Sequence, residues 1–175
     1  MTPHQPPVTR GPPLPAHRVA IPALPEQPSP THTRLPAFNK APLTEAHTTL
    51  LSCLHSETWA TRVATHRPYP TVEALLAAAD EAAYDLTRGD LAEALAAEKT
   101  PRLPDETYAA ASMALSAAHA AYEAKFGHAF VVCEDSLDLV LEAIRSRLLN
   151  DREDERVVAA EELRKLAKQR LLNAL

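Results

Sequence analysis

The last predicted helix carries an arginine on its apolar side. Leu163, Leu166 and Ala167 share one helical face, and Arg170 follows Leu163 by two helical turns, which places it on that same face. An arginine that points into a pocket can bind a carboxylate through paired hydrogen bonds. Alternatively, its aliphatic stem packs at the edge of the core while its guanidinium reaches solvent. The spacing leaves both interpretations open.

The other side chains with nucleophilic or metal-binding chemistry are scattered. Cys53 and Cys133 both lie in apolar surroundings, so we expect buried, reduced thiols. Two cysteines make neither a disulfide framework nor a four-thiolate zinc site, and the histidines show no ligand spacing. With only three glycines, the chain also lacks a glycine-rich phosphate loop. The sequence therefore predicts no metal site.

An acidic cluster precedes the last helix and consists of Asp151, Glu153, Asp154 and Glu155. Carboxylates are favoured at the positive N-terminal end of a helix. We therefore interpret the cluster as a solvated face that matches the helix dipole, and not as a metal site.

Helix-forming composition dominates the chain after residue 42. The apolar fraction is 46% and is rich in Ala and Leu, the strongest helix formers, while aromatic residues make up only 5%. Apolar spacing and capping residues predict helices at about 44–55 and 57–66, from Thr71 to Leu86, from Asp90 to before Pro101, from Asp105 to Phe126, from Asp135 to about Leu149, and from Asn150 or Asp151 to the C-terminus.

Particular residues mark the expected helix ends. Ser56 and Thr71 are predicted N-caps. Gly89 is expected to end one helix before a capping box that begins at Asp90, and Gly127 is expected to end another in the left-handed conformation. The apolar run Phe130–Cys133 is either extended or a helical turn.

The organisation that follows is all-α. Residues 43–175 are predicted to form a compact single-domain bundle of about seven helices. A disordered tail is expected over residues 1–42, which contain twelve of the sixteen prolines. This Pro-rich tail is either a docking arm for a proline-recognising partner or a dispensable extension.

The charge pattern argues against nucleic-acid and membrane partners. The net charge is −5, with +3 in residues 1–42 and −8 in the remainder, so a basic nucleic-acid footprint is absent. No run approaches the length of about 18 apolar residues that crosses a membrane. Because the N-terminus also lacks the apolar stretch of a secretory signal, we expect a cytoplasmic protein.

Three segments resemble one enzyme family. Phe38-Asn39 followed by LLSCLHSETWA, the segment AAYEAKFGHAFVVCE, and the ending SRLLNDREDERVVAAEELRKLAKQRLLNAL are similar, in order and spacing, to the 2-oxo-4-hydroxy-4-carboxy-5-ureidoimidazoline (OHCU) decarboxylases of urate breakdown. The resemblance covers roughly residues 36–175. It implies an all-helical, cofactor-free enzyme of purine catabolism, usually a homodimer, that converts the ureidoimidazoline acid to (S)-allantoin with loss of CO2.

The resemblance also implies roles for particular residue types. In such enzymes a histidine before Pro-Arg donates a proton, and a Ser-x-x-Glu-Gln segment holds the ring. Main-chain groups of a Phe-x-x-Cys run and a late arginine bind polar edges and the carboxylate. The chemistry explains these types, because loss of CO2 leaves a carbanion-like centre whose charge must be stabilised and then protonated.

Carried over by position, the binding residues are kept and the proton donor is not. The family's histidine position is occupied by Thr100, and no Ser-x-x-Glu-Gln segment follows. The positions that match the family's substrate-binding residues are Pro101, Phe130, Val131, Val132, Cys133, Glu134 and Arg170.

Other residues could replace the missing donor. Lys99 adjoins Thr100, and a desolvated lysine can have a lowered pKa. His119 and His128 lie near the binding segments in sequence. The alternative interpretations are a solvated lysine at a helix end, a partly buried histidine among alanines, and a histidine in a turn.

Two functions therefore remain open. The first is an OHCU decarboxylase-like carboxy-lyase that binds a small anionic ureidoimidazoline-type substrate. The second is a catalytically inactive helical paralogue that acts as a binding or assembly module, because a lost site leaves its scaffold intact.

Overall fold

The computed structural model describes residues 34–99, 109–134 and 136–175. Within these residues the chain forms eight helices and no strand, which confirms the predicted all-α class. None of these helices is long and apolar enough to span a bilayer. The helices are α1 (Leu35–Lys40), α2 (Leu43–Cys53), α3 (Glu57–Thr65), α4 (Val72–Tyr84), α5 (Arg88–Ala97), α6 (Ala109–Phe126), α7 (Leu137–Arg147) and α8 (Arg152–Ala174).

Helix α1 lies inside the segment predicted to be a disordered tail, so that prediction is wrong for residues 35–40, and α1 is the helix beyond the expected seven. Pro36 stands in the first turn, where a missing N–H costs nothing. Leu35 and Phe38 are buried against the core. The guanidinium of Arg67 donates to the carbonyls of Phe38 and Ala41 at 2.6 and 2.9 Å. Residues 1–33 lie outside the described part of the chain.

The predicted caps are mostly confirmed. The side chains of Ser56, Thr71 and Asp151 accept hydrogen bonds from the first turns of α3, α4 and α8. Gly127 has a φ of 83° directly after α6, in the left-handed region that favours glycine. The predicted start of α7 at Asp135 falls outside the described residues, and the helix begins after Ser136.

The start of α5 differs from the prediction. Thr87 and Asp90 form the capping box, so Gly89 lies in the first turn of α5 and does not end the preceding helix. Asp90 is therefore the third residue of α5 and not its cap. Hydrogen bonds from Thr87 and then from Thr58 lower the pKa of the Asp90 carboxyl. Thr87 is the N-cap because its hydroxyl accepts from the N–H of Asp90, while the Asp90 carboxylate accepts from the N–H of Thr87.

The core consists of two clusters of buried side chains. The larger cluster contains buried residues of the helices from α1 through α5 and of α8, packed around Trp59. The Nε1 of Trp59 donates to the carbonyl of Ala79 at 2.8 Å. The smaller cluster packs α6 against α7 and contains Leu115, Tyr122, Phe126, Phe130 and Ile144. Val131 belongs to the larger cluster and Phe130 to the smaller, so the segment between α6 and α7 connects the two.

Candidate functional site

Arg170 lies on α8 and faces the C-terminal end of α5. Its Nη1 and Nη2 donate to the two carboxylate oxygens of Glu98 at 2.7 and 2.8 Å, and Nη1 also donates to the carbonyl of Cys53 at 3.2 Å. The hydrogen bond and charge of Glu98 raise the pKa of Arg170. The side chain is 37% exposed, so the guanidinium reaches a pocket and is not buried in the core.

The pocket around Arg170 is polar and about 300 Å³ in volume. Lys99 is exposed at its edge, directly after α5. His55 also lines it, and its Nδ1 lies 3.9 Å from Glu93 Oε1, with both side chains exposed. The residues that line this pocket are Leu51, Ser52, His55, Ala97, Glu98, Lys99 and Arg170.

His55 and Glu98 are pocket residues that sequence patterns did not predict. His55 follows α2 by two residues and is one of the histidines that show no ligand spacing. Its one sequence signal is its place in the segment LLSCLHSETWA, where Cys53 supplies the carbonyl that Arg170 contacts. Glu98 stands two residues before Thr100, which occupies the position of the family's histidine.

A second cleft of about 530 Å³ adjoins the Arg170 pocket, because Glu98 and Lys99 line both. Its opposite wall is the turn after α6, including Gly127 and His128. His128 is half-buried, and its Nδ1 lies 3.0 Å from the carbonyl of Ala129. The predicted substitute His128 therefore lines the neighbouring cleft, while Lys99 lines both.

The Phe130–Glu134 run is neither helix nor strand, bends at Cys133, and passes from the core to the surface. Phe130 and Val131 are buried, Val132 is partly buried, and Cys133 and Glu134 are exposed. The prediction of a buried thiol is therefore wrong for Cys133, because the run has left the core there and passes over α8. It is confirmed for Cys53, which is 2% exposed and whose thiol pKa is raised by burial.

Helix α8 holds the exposed end of this run. The backbone N–H of Cys133 donates to Glu162 Oε2 at 2.8 Å, and its thiol donates to Gln169 Oε1 at 3.2 Å. Burial alone would raise the pKa of Glu162, but hydrogen bonds from Lys165 and from the Cys133 N–H lower it. One main-chain donor of the run is thus already bound to a charged carboxylate of the protein.

A buried ionic network supports the beginning of the run. Arg147 donates to Glu155 Oε1 from Nε at 2.8 Å and to the carbonyl of Val131 from Nη1 at 2.6 Å. Tyr122 donates its hydroxyl to the same carboxylate, and the Arg147 guanidinium lies 4.4 Å from the Phe130 ring centroid. Burial, followed by the bond to Glu155, raises the pKa of Tyr122.

This network corrects the interpretation of the acidic cluster. Glu155 is 1% exposed, so it does not belong to a solvated face, although Asp151, Glu153 and Asp154 are exposed as predicted. Periodicity could not reveal Glu155 because its partners Tyr122 and Arg147 lie on other helices. In the described residues no group of three or more His, Cys, Asp or Glu side chains could hold a metal ion.

His119 is buried in α6 at 6% exposure, with its ring centroid 6.0 Å from that of Phe130. Desolvation lowers its pKa, so the imidazole is neutral at neutral pH. Its Nε2 has no hydrogen-bond partner within the described segments. His119 does not line the Arg170 pocket. Thr100 and Pro101 lie outside the described residues.

The described residues thus form an all-helical fold with a polar, arginine-bearing pocket. The family model of the OHCU decarboxylases matches residues 39–172. The chain belongs to the OHCU decarboxylase family.

Two solved structures are similar. The crystal structure of an (S)-allantoin synthase matches with a TM-score of 0.64 and 23% identity over 81% of this chain and 54% of that one, so this chain spans about half its length. The crystal structure of an OHCU decarboxylase in the presence of (S)-allantoin matches with a TM-score of 0.64 and 25% identity over 70% of this chain and 94% of that one. Curated protein sequences gave no match.

Proposed function

We propose that this protein decarboxylates the ureidoimidazoline acid formed from urate, giving (S)-allantoin and CO2. Family membership supports this activity, as does the similar OHCU decarboxylase structure obtained with (S)-allantoin. The observation that carries the proposal is the Arg170 guanidinium, which stands in a polar pocket beside His55 and Lys99. Such a pocket can neutralise and orient a small anion.

The substrate carboxylate takes the place of Glu98 on Arg170. Glu98 presents two oxygens to the guanidinium fork at 2.7 and 2.8 Å, which is the geometry that a substrate carboxylate would adopt. This replacement costs little free energy because the Arg170 side chain is 37% exposed and one carboxylate replaces another. Competition between Glu98 and the substrate for Arg170 then determines the KM.

Proton delivery falls to His55 in this proposal. When the bond to CO2 breaks, its electron pair is delocalised into the ring, and a proton must then reach the neighbouring ring carbon that bears the ureido group. An imidazole titrates near neutral pH and can supply the proton. His55 shares the pocket with Arg170, whereas His119 is buried elsewhere and is kept neutral by its lowered pKa. Lys99 serves as a second positive charge at the pocket edge.

The family resemblance assigns the remaining polar contacts to the main chain of the Phe130–Glu134 run, although none of its residues is among those that line the Arg170 pocket. Because Glu162 already accepts from the Cys133 N–H, we assign the substrate to other groups of this run and of Pro101. Arg147 holds the run through the Val131 carbonyl and therefore positions it without contacting substrate.

The activity is tested by making the substrate in place. Urate oxidase and hydroxyisourate hydrolase convert urate to the unstable acid, and circular dichroism then follows the appearance of (S)-allantoin. We expect a rate above spontaneous decay, and Arg170→Ala should remove most of it. Arg164→Ala is the matched control, because Arg164 lies on the same helix but pairs with Asp80 and Glu161. A wild-type rate equal to spontaneous decay overturns the proposal.

The role of His55 has its own test in the same assay. His55→Gln should lower kcat by about 10²-fold, the lower end of general acid catalysis, with little change in KM. His66→Gln is the control, because His66 is exposed at the end of α3 and its Nδ1 is hydrogen-bonded to the carbonyl of Arg62. An unchanged kcat in His55→Gln removes the proton-donor assignment and leaves the binding role of Arg170 standing.

A non-catalytic binding or assembly module is the second candidate. The occupation of Arg170 by Glu98 and the presence of Thr100 at the family's histidine position favour it. This candidate gains if calorimetry detects binding of (S)-allantoin while the rate stays at that of spontaneous decay. It loses if turnover is observed.

The remaining assignments follow the family resemblance. We propose a homodimer in the cytoplasm, with a small anionic substrate and with neither nucleic acid nor membrane as a partner. Light scattering should give twice the chain mass of 19.0 kDa, and a monomer at micromolar concentration would contradict the dimer.

A further inference from the structure

A third cleft, of about 300 Å³, concentrates positive charge over an apolar floor. Its rim carries Arg88, the first residue of α5, together with Arg152, the first residue of α8, and Arg156 one turn later. Its floor is formed by Leu91, Leu95 and Phe126, which are all buried. None of the described residues lining this cleft is acidic. We call it the three-arginine cleft.

The three guanidinium groups are incompletely neutralised. Arg88 donates to Glu153 Oε1 at 2.9 Å, and Arg156 donates to the same oxygen, so one carboxylate serves two arginines. No side chain in the described part of the chain pairs with Arg152. Arg88, Arg152, Arg156 and Glu153 together carry a net charge of about +2, while Asp90 and Asp151 already cap the positive ends of α5 and α8.

Arg156 also has an unused donor. Its Nε is buried without a hydrogen-bond partner within the described segments. A buried N–H without an acceptor is costly, and most such groups are satisfied. Because this Nε is enclosed, an oxyanion in the cleft reaches it only when the Arg156 side chain shifts, after which Nε and Nη form a fork that matches two oxygens.

We propose that the three-arginine cleft binds a small organic anion that carries a carboxylate or phosphate on a compact apolar ring. The oxyanion pairs with Arg152 and Arg156, and the ring covers Leu91, Leu95 and Phe126. The volume of the cleft is at the lower end of small-molecule sites. This site shares no lining residue with the Arg170 pocket, although it shares Leu95, Ala96, Gly127 and His128 with the second cleft that adjoins that pocket. Its binding of an anion does not depend on decarboxylase activity.

Isothermal calorimetry with phenyl phosphate tests the proposal. We expect saturable binding that weakens as salt is added, because the contact is electrostatic at a partly exposed rim. Benzoate distinguishes a carboxylate from a phosphate preference. Inorganic phosphate, which lacks the ring, and phenol, which lacks the charge, should both bind at least about tenfold more weakly, since each loses one of the two contributions.

Variants locate the binding. Arg152→Ala and Arg156→Gln should each weaken phenyl phosphate by about tenfold, the effect of losing a charge-assisted hydrogen bond. Ala92→Phe should block the cleft without changing its charge, because Ala92 lines it and is exposed. Arg145→Ala is the control for general charge, since Arg145 is an exposed arginine on α7 outside the cleft.

The outcomes separate this site from the proposed active site. Binding that survives Arg170→Ala but is lost in Arg152→Ala and Ala92→Phe supports the three-arginine cleft, whether or not the protein decarboxylates its substrate. Absence of saturable wild-type binding overturns the proposal. So does binding that is lost only in Arg170→Ala, or that weakens equally in Arg145→Ala. Circular dichroism of each variant confirms that it is folded before titration.

Discussion

Two of the arginine–glutamate pairs that join α8 to the rest of the molecule differ in solvent access. The side chains of Arg147 and Glu155 are 8% and 1% exposed. Those of Arg170 and Glu98 are 37% and 10% exposed, and both line a pocket. The pairs use the same chemistry, so burial and additional partners determine what each one does.

The buried pair is saturated. Arg147 also bonds the Val131 carbonyl, and Glu155 also accepts from Tyr122 and from Asn150, the latter at 2.9 Å. No position remains for a ligand, and a charge left alone there would lack both water and a partner. In the more exposed pair, Arg170 is held by the Glu98 carboxylate, which solvent or substrate can replace. The network around Arg147 therefore supports the run, while Arg170 remains available for binding.

The largest effect is expected from breaking the buried pair. Arg147→Met leaves the Glu155 carboxylate buried without a countercharge and should lower the free energy of unfolding by about 3–5 kcal/mol. Urea denaturation followed by circular dichroism measures the change. Arg145→Met is the control, because Arg145 is exposed on the same helix and should change stability by less than about 0.5 kcal/mol. Equal losses in both variants would contradict the comparison.

Removal of one donor from the same network should cost less. Tyr122→Phe deletes the hydroxyl that donates to Glu155 and keeps the ring packed against Phe126 and Phe130. We expect a loss of about 1–3 kcal/mol, typical of a buried hydrogen bond to a charged group. Tyr84→Phe, at an exposed tyrosine, should be nearly neutral in the same denaturation experiment. A neutral Tyr122→Phe would show that Arg147 alone satisfies the carboxylate.

The more exposed pair should matter little for stability and more for binding. Glu98→Gln removes the charge that competes for Arg170, so the free energy of unfolding should change by less than about 1 kcal/mol after allowing for solvent screening. The KM for the ureidoimidazoline acid should fall by about three- to tenfold, because the substrate no longer displaces a carboxylate. Steady-state assays at several substrate concentrations measure this, and a raised KM would indicate that Glu98 itself contacts substrate.

The smallest effect concerns His119 and the dependence of stability on pH. Burial lowers the pKa of its imidazole in the folded state, so the unfolded chain binds more protons there. Its contribution to stability is therefore complete above the unfolded pKa of about 6.5 and is lost as the pH falls toward the folded pKa. His119→Asn should lose less stability than the wild-type protein between about pH 7.5 and pH 5.5. His66→Asn is the control, and an identical loss in wild type and His119→Asn would contradict the assignment.

Local patterns in the sequence determined the helical elements. Ser56, Thr71 and Asp151 are caps whose partners lie within the following turn, and Gly127 ends α6 through its own backbone freedom. Such contacts involve only near neighbours, so they can be predicted from spacing. Where two local solutions compete, as between Thr87 and Asp90 at the start of α5, the spacing alone favoured the wrong cap.

The sequence by itself determined the all-α class, the family segments and the placing of Arg170 on the inner face of α8. Only the tertiary structure decided that Glu98 pairs with Arg170, that His55 shares its pocket, that α1 packs on the core, and that Glu155 is buried while Cys133 is exposed. The reason is physical: each of these outcomes depends on a partner distant in the chain, such as Tyr122 for Glu155 or Arg67 for α1. The energy of such a contact depends on burial, which helical periodicity does not specify.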